Sequence, residues 1–370
     1  MLLSQCDKTG MTTHTLDLTK ALVKKNISVT VLIGYNKHTA TDIEKKLYER
    51  FVETGAIIKT FIKPKGSKIK LLKGAITLLY NLTSVNHYDL VHVQSPYLSW
   101  APWLLRKKFV STMHVTDIYP SPFYKKATHL IAISRETKEF AKNIHNYSED
   151  DITIVHHGVD SRFSIVMSNK EKALKRNELG LPDDKVIICI VGSIEPRKGH
   201  DILLKAISRL TPCVKEKIHV VIVGSNKNSD NGNDRWLKKT LIETKTESFV
   251  SQFEYQDPEI FYKISDLFTL PSWQEGFPVV VIEAMLSDCL CIRSNAEGAY
   301  EQIKDGETGY IFPKGDIDKL ADILNKVIIN EENRHKLAKM GREYALDHFL
   351  SDTMAENTIK VYEKTITKRH

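Results

Sequence analysis

The stretch "VIICIVGSIEPRKGHDILLKAISRL", Val186 to Leu210, decides the fold. Its first six residues read as a buried strand, a Gly- and Pro-containing turn follows, and "GHDILLKAISRL" has the apolar spacing of an amphipathic helix. The same alternation continues downstream through strand "HVVIVG", helix "DRWLKKTLIET", strand "LFTLPS", helix "PVVVIEAMLS" and strand "CLCIRS". Upstream, "SVTVLIG" follows the helical "MTTHTLDLTKALVKK", "DLVHVQ" and "KFVSTMH" come next, "HLIAIS" precedes "RETKEFAKNI", and "ITIVHHG" closes the first half. Strands alternating with helices imply an α/β fold with mostly parallel sheets covered on both faces.

A chain of 370 residues exceeds what one hydrophobic core usually serves. Between the two runs, "VDSRFSIVMSNKEKALKRNELGLPDDK" has no strand signal and contains a Leu-Gly-Leu-Pro break, so it reads as a crossover. The expectation is two Rossmann-like domains, 1–165 and 166–350, facing across a cleft, with a C-terminal helix in 351–370 that packs back on the first domain. Ligands of such sheets bind outside the carboxyl ends of the strands.

Composition narrows the class. With 42% hydrophobic and 27% charged residues the chain is globular, not disordered. Its apolar runs are too short to span a bilayer, and Met1 begins on "MLLSQ" with no basic n-region, so neither a transmembrane helix nor a secretion signal is expected. Five cysteines, several in buried-looking strands, suit reduced thiols in a cytoplasm, where the sequons at Asn81 and Asn146 carry no meaning. The net charge of +7 is unevenly placed: residues 1–180 hold 27 Lys+Arg against 16 Asp+Glu, and the remainder 26 against 30. All the positive excess therefore lies in the first half, which points to an anionic surface there or to a solvated basic face.

The residues after the strands carry the chemistry. "GSIEPRKG" puts Gly192, Arg197 and Lys198 at a sheet's carboxyl end, where two cations beside a helix N-terminus can hold a diphosphate; a solvent-facing turn is the alternative. "EGFPVVVIE", residues 275–283, brackets an apolar run with two carboxylates. Pro278 suits the first helical position, so Glu275 lies in the loop and Glu283 about five residues into the helix. A carboxylate at each end can accept paired hydrogen bonds from vicinal hydroxyls, one facing a sugar and the other a ribose, while the apolar middle packs on the sheet.

These elements resemble the retaining nucleotide-sugar glycosyltransferases of family four. "PSWQEGFPVVVIEAMLSDCLCIRSNAEGAYEQI" is similar to the family's two-glutamate signature, "GSIEPRKG" to its phosphate-binding segment, "TGMTTHTLDLTKAL" to its first loop and helix, and "HHGVD" also matches. The resemblance implies the GT-B arrangement, with the donor in the C-terminal domain and the acceptor mostly in the N-terminal one. It implies that Glu275 contacts the donor sugar, Glu283 the ribose, and Arg197 with Lys198 the diphosphate, with Gly192, Gly276, Phe277 and Pro278 lining that site. His114 matches a histidine that approaches the transferring sugar, although a lone histidine after a strand is also consistent with a structural role. Gly10 matches a loop lying close to donor or acceptor. Ser193 stands where many relatives carry Arg, Asp288 and Leu290 where Gly and Pro are common, and Glu297 replaces the first Gly of a Gly-Gly pair; the last change bears on donor-sugar preference.

The reaction implied is transfer of a hexose-type unit from a nucleoside diphosphate sugar, UDP favoured over GDP, to a glycan or lipid-linked acceptor with retention, in cell-surface polysaccharide synthesis. No cofactor is expected and no metal is required, since no paired Asp-x-Asp site is evident. "KTFIKPKGSKIKLLKGAITLL" sets Lys59, Lys63, Lys65, Lys68, Lys70 and Lys73 beside Leu71, Leu72, Ile76 and Leu78, a pattern suited to peripheral docking on an anionic inner membrane face or to an ordinary lysine-rich surface helix. No nucleic-acid-binding module accompanies the charge, so nucleic acid is not an expected partner. A catalytically silent relative acting as a stabilising partner, and a GT-B epimerase, are the competing possibilities.

Overall fold

The structure, a computed structural model, describes residues 1–7, 9–62, 68–84, 88–225 and 232–368. The chain forms two compact units, Met1–Val159 with Phe349–His370, and Asp160–His348. The first is built on seven parallel strands: β1 Leu2–Leu3, β2 Thr30–Gly34, β3 Ile57–Phe61, β4 Val91–Val93, β5 Phe109–Met113, β6 His129–Ala132 and β7 Ile152–Ile154, in the order β3-β2-β1-β4-β5-β6-β7. The second has six: β8 Val186–Val191, β9 Ile218–Ser225, β10 Val250–Glu254, β11 Leu267–Leu270, β12 Leu290–Ser294 and β13 Tyr310–Phe312, in the order β10-β9-β8-β11-β12-β13. Both sheets run outward one way and then reverse, between β1 and β4 and between β8 and β11. Such a reversal opens a crevice at the strands' carboxyl ends, because the loops on either side diverge to opposite faces.

Strands buried on both faces favour near-continuous apolar runs; β8 is apolar throughout, while β11 and β12 are fully buried and interrupted only by Thr269 and by Arg293 with Ser294. Ile188, Ile190, Ile202, Leu203, Val220, Leu267 and Ile292 form one core of the second unit, each burial contributing on the order of 1.5–3 kcal/mol. In the first unit, Leu18 and Leu22 of the opening helix (Gly10–Lys24) pack with Met354, Ala355 and Val361 of the C-terminal helix (Ser351–Thr367). The chain enters that helix through a backbone bridge in which Val159 N–H donates to the Phe349 carbonyl and Ser351 N–H to the Val159 carbonyl, both at 2.9 Å. The "HHGVD" segment is thus the anchor point for the returning chain.

Several elements differ from expectation. Strand β1 is only two residues long and gives no periodic signal, yet it sits inside its sheet, between β2 and β4. Lys59–Phe61, read as the start of a basic segment, belongs to the edge strand β3, whose half-exposed position tolerates polar residues. The second unit begins at Asp160, not after residue 165, since the Phe163 carbonyl accepts from Ser287 Oγ at 3.1 Å and the Phe163 side chain is buried there. Pro278 stands at the N-cap of the Val279–Leu286 helix, one position before its expected place. Lys63 and Lys65 lie outside the described residues.

Candidate active site

In the second unit the loops after β8, β11 and β12 come together at the carboxyl edge of the sheet. The β8 loop ends in a short turn, Pro196–Lys198, and then Gly199, the N-cap of the helix His200–Ser208. Gly199 has φ +70°, and a Cβ there would stand 2.0 Å from the Pro271 carbonyl oxygen, so only glycine lets the β8 and β11 loops touch. The loops are then tied twice: Trp273 N–H donates to the Arg197 carbonyl at 2.9 Å, and Arg197 Nη1 donates to the Gln274 carbonyl at 3.0 Å.

This stitching brings Lys198 Nζ to 2.7 Å from Glu275 Oε1, with Arg197 Nη1 at 3.9 Å from the same oxygen. The Glu275 side chain is 8% exposed and that of Lys198 15%, so the pair is held largely out of water, where a charge-assisted bond is stronger than at the surface. Arg197 is more open and also reaches Glu195 at 3.5 Å. Gly192 closes β8, donating its N–H to the Val223 carbonyl at 3.0 Å, and lies beside the Lys198 stem. Gly276 and Phe277 continue from Glu275 into Pro278, with Phe277 buried. Glu283 lies on the inner face of the Val279–Leu286 helix, and its Oε2 accepts from the Tyr262 hydroxyl at 2.9 Å. Burial, reinforced by that carboxylate, pushes the Tyr262 phenol well above its ordinary value, so it remains a donor to Glu283. Arg197, Lys198, Gly192 and Glu275 thus meet at one edge of one sheet, and Gly276, Phe277 and Pro278 lead from there into the helix that carries Glu283.

Two contributors to this edge, Arg293 and Gln302, were not anticipated, and Glu297 was expected only as a departure from the family pattern. Arg293, on β12, is fully buried; it donates to the carbonyls of Ser294, Ala296 and Glu297 and to Gln302 Oε1. Gln302 Nε2 in turn donates to the Pro278 carbonyl at 2.9 Å, joining the β12 loop to the start of the Val279–Leu286 helix. Glu297 Oε2 accepts the Glu275 N–H at 3.0 Å, and its Oε1 is 3.6 Å from Lys314 Nζ. The arginine inside the apolar run "CLCIRS" was the available signal, since a charge within a buried strand requires polar partners.

His114 and Gly10 belong to the first unit. His114 Nε2 is 3.0 Å from Gln94 Oε1, its Nδ1 is 3.2 Å from His157 Nε2, and the His14 ring lies 4.3 Å from that of His157. Gln94 leads on to His92, which bonds Tyr362 and Thr112, each at 2.7 Å. Burial, followed by the charges of neighbouring histidines, pushes the His14 and His114 imidazoles well below their ordinary value, so they are neutral near pH 7. Both ring nitrogens of His114 are therefore engaged inside the protein. Gly10 is exposed, and a Cβ built there meets no protein atom within 4 Å; the fold itself places no demand for glycine at that position.

Two family models match the chain, Glycosyltransferase Family 4 over residues 8–163 and Glycosyl transferases group 1 over residues 171–344. The D-inositol 3-phosphate glycosyltransferase of Stackebrandtia nassauensis is 23% identical over 313 residues, covering 76% of this chain and 70% of that protein. The capsular polysaccharide biosynthesis glycosyltransferase CapM of Staphylococcus aureus is 28% identical over 240 residues, covering 64% and 61%. Among solved structures, HepE of Anabaena in complex with UDP and glucose matches with a TM-score of 0.80 at 18% identity, covering 98% of both chains.

Proposed function

The chain belongs to the glycosyltransferase group 1 family, with two parallel-sheet α/β domains of the GT-B fold, and on that premise we propose that it is a retaining hexosyltransferase using a nucleoside diphosphate sugar, UDP favoured over GDP. The observation that carries this reading is the Lys198–Glu275 pair at the reversal between β8 and β11, with Arg197 alongside and Glu283 on the helix that follows Glu275. With donor bound, Lys198 and Arg197 turn to the diphosphate, and Glu275 is released to accept hydrogen bonds from sugar hydroxyls. Glu283 faces the ribose. The acceptor hydroxyl attacks the anomeric carbon on the face from which the diphosphate departs; the C–O bond to phosphate breaks, and the departing phosphate oxygen takes the acceptor's proton. The cations and helix N–H groups stabilise charge that grows on the leaving group, so no metal or other cofactor is invoked. HepE's complex with UDP and glucose supports the donor class, and CapM's role in capsular polysaccharide biosynthesis supports a glycan or lipid-linked acceptor in surface polysaccharide synthesis.

The test is a thermal-shift and hydrolysis screen of the purified chain against UDP- and GDP-sugars, with UDP and GDP alone as controls. A shift with slow hydrolysis of one UDP-sugar is expected; a response confined to GDP-sugars, or none at all from folded protein, refutes the reading.

Peripheral membrane contact at the cytoplasmic face is part of the same proposal. Among the described residues no helix is long and apolar enough to cross a membrane. The helix Lys68–Ser84 instead exposes Ile69, Leu71, Leu72, Ile76 and Tyr80, with Lys73 also exposed, while Leu78 is buried in the core against expectation. Exposed apolar side chains beside lysines suit the boundary of an anionic lipid surface. Co-sedimentation with anionic but not neutral liposomes at low salt is expected, and equal indifference to both refutes the contact.

A further inference from the structure

Glu297 lies at the head of the donor loop and makes a bond that its neighbours are built to protect. Its carboxylate accepts the backbone N–H of Glu275 at 3.0 Å and is flanked by Lys314 at 3.6 Å. Beneath it, the fully buried Arg293 guanidinium holds the carbonyls of Ala296 and Glu297 at 3.0 Å each, so the backbone that carries the carboxylate is clamped. Gly298 follows with φ +73°, and a Cβ there would meet the Phe277 ring at 2.8 Å and the Gly276 carbonyl at 2.9 Å. Gln302 completes the connection at the Pro278 carbonyl. The turn 275–278 therefore hangs from the β12 loop by a side-chain bond at its first residue, a packed contact at its middle and an amide bond at its last.

We propose that Glu297 is the positioning residue for the donor sugar: by holding the Glu275 N–H it fixes the direction in which the Glu275 carboxylate points. The inference rests on the donor-site reading above. It separates two functions within that site. Diphosphate binding depends on Lys198 and Arg197, which reach the site from the β8 loop and whose side-chain hydrogen bonds and ion pairs among the described residues go to Glu195, Gln274 and Glu275 and not to Glu297. Sugar binding depends on Glu275, whose backbone is anchored to Glu297. A side chain held at one end by a fixed bond loses little freedom on meeting its ligand, whereas a released turn leaves the carboxylate misaimed, and small misplacements near a reacting centre are costly.

The experiment compares the full chain with its Glu297→Ala and Glu297→Gln variants. Dissociation constants are measured for UDP beside UDP-glucose, UDP-galactose and UDP-N-acetylglucosamine, and for GDP beside GDP-mannose. The quantity read is the affinity gained by attaching the sugar, taken for whichever pair binds the unaltered chain best. Glu297→Ala is expected to lower that gain by about tenfold, the scale of one charge-assisted hydrogen bond, and to change binding of the bare nucleotide by less than about twofold. Hydrolytic kcat falls with the sugar gain. Glu297→Gln retains an oxygen acceptor for the Glu275 N–H and is expected to recover most of the loss, which a role in bulk charge alone would not allow. Equal weakening of nucleotide and nucleotide sugar, or an unchanged sugar gain in Glu297→Ala, overturns the inference while leaving the donor-site reading intact. If the unaltered chain binds none of these nucleotides, the donor-site reading fails and the inference fails with it.

Discussion

The two units gather polar side chains at the carboxyl ends of similar sheets, but in opposite electrical states. In the first unit, Tyr362, His92, Gln94 and His114 form a chain of hydrogen bonds among buried neutral groups. In the second, Arg197, Lys198, Glu275, Glu297 and Lys314 are charged and sit beside one another at the edge of the sheet. A neutral network satisfies its members internally and has little to exchange with an anion. A cation–carboxylate pair is different, because a diphosphate can replace the carboxylate on the cation and the freed carboxylate can bind hydroxyls. If the proposed function holds, the contrast explains why one fold type, used twice, would bind an anionic donor in one unit and serve another purpose in the other.

The largest effect that would break this contrast is loss of the charged pair. Glu275→Gln and Lys198→Ala are each expected to lower turnover by about a hundredfold or more, on the scale of removing one preorganised electrostatic contact. Steady-state rates with the donor identified in the screen check this. Near-normal rates in both variants would show that the pair is structural and that the contrast between the units has no catalytic meaning.

That charged pair also marks how far the sequence could be read. The alternation of strand and helix was legible because each buried strand must be apolar throughout and each helix must present a stripe, which is local information. The place of Glu283 was legible for the same reason, since five helical residues fix its position along the Val279–Leu286 helix, with Glu275 in the loop before it. The direct bond from Lys198 to Glu275 was not, because it depends on β8 and β11 being neighbours although two other strands lie between them in the sequence. Gln302 and the Glu297 bond to Glu275 were missed on the same ground, their partners lying across loops that the sheet order brings together, whereas Arg293 bonds within its own loop. Strand β1 failed differently, since two residues carry no period, and the lysines near β3 hid an edge strand whose composition edges permit.

A smaller and more graded effect concerns acid. Burial lowers the His92 imidazole from its ordinary 6.5 to about 3, and it holds His14 and His114 well below their usual range; His129 in the same unit is lowered to about 4. In the second unit His200 is likewise lowered to about 4, by burial and then by the charge of Lys198. Each of these bases takes up a proton in the unfolded chain at a higher pH than in the folded one. Between about pH 6.5 and the lowered values the unfolded state therefore binds more protons, so stability rises with pH, being fully present above that window and lost as pH falls through it. Because the first unit holds several such imidazoles in mutual contact, it should open before the second. Hydrogen exchange corrected for intrinsic rates, followed from about pH 7.5 to about pH 5, is expected to show β4, β5 and the Ser351–Thr367 helix losing protection ahead of β8 and β11. His92→Gln, which keeps a hydrogen-bonding side chain but removes one titrating base, should move the first unit's transition to lower pH. Earlier opening of the second unit would mean that its ion pairs, which lose their carboxylate charge in acid, govern acid stability more than the buried imidazoles do.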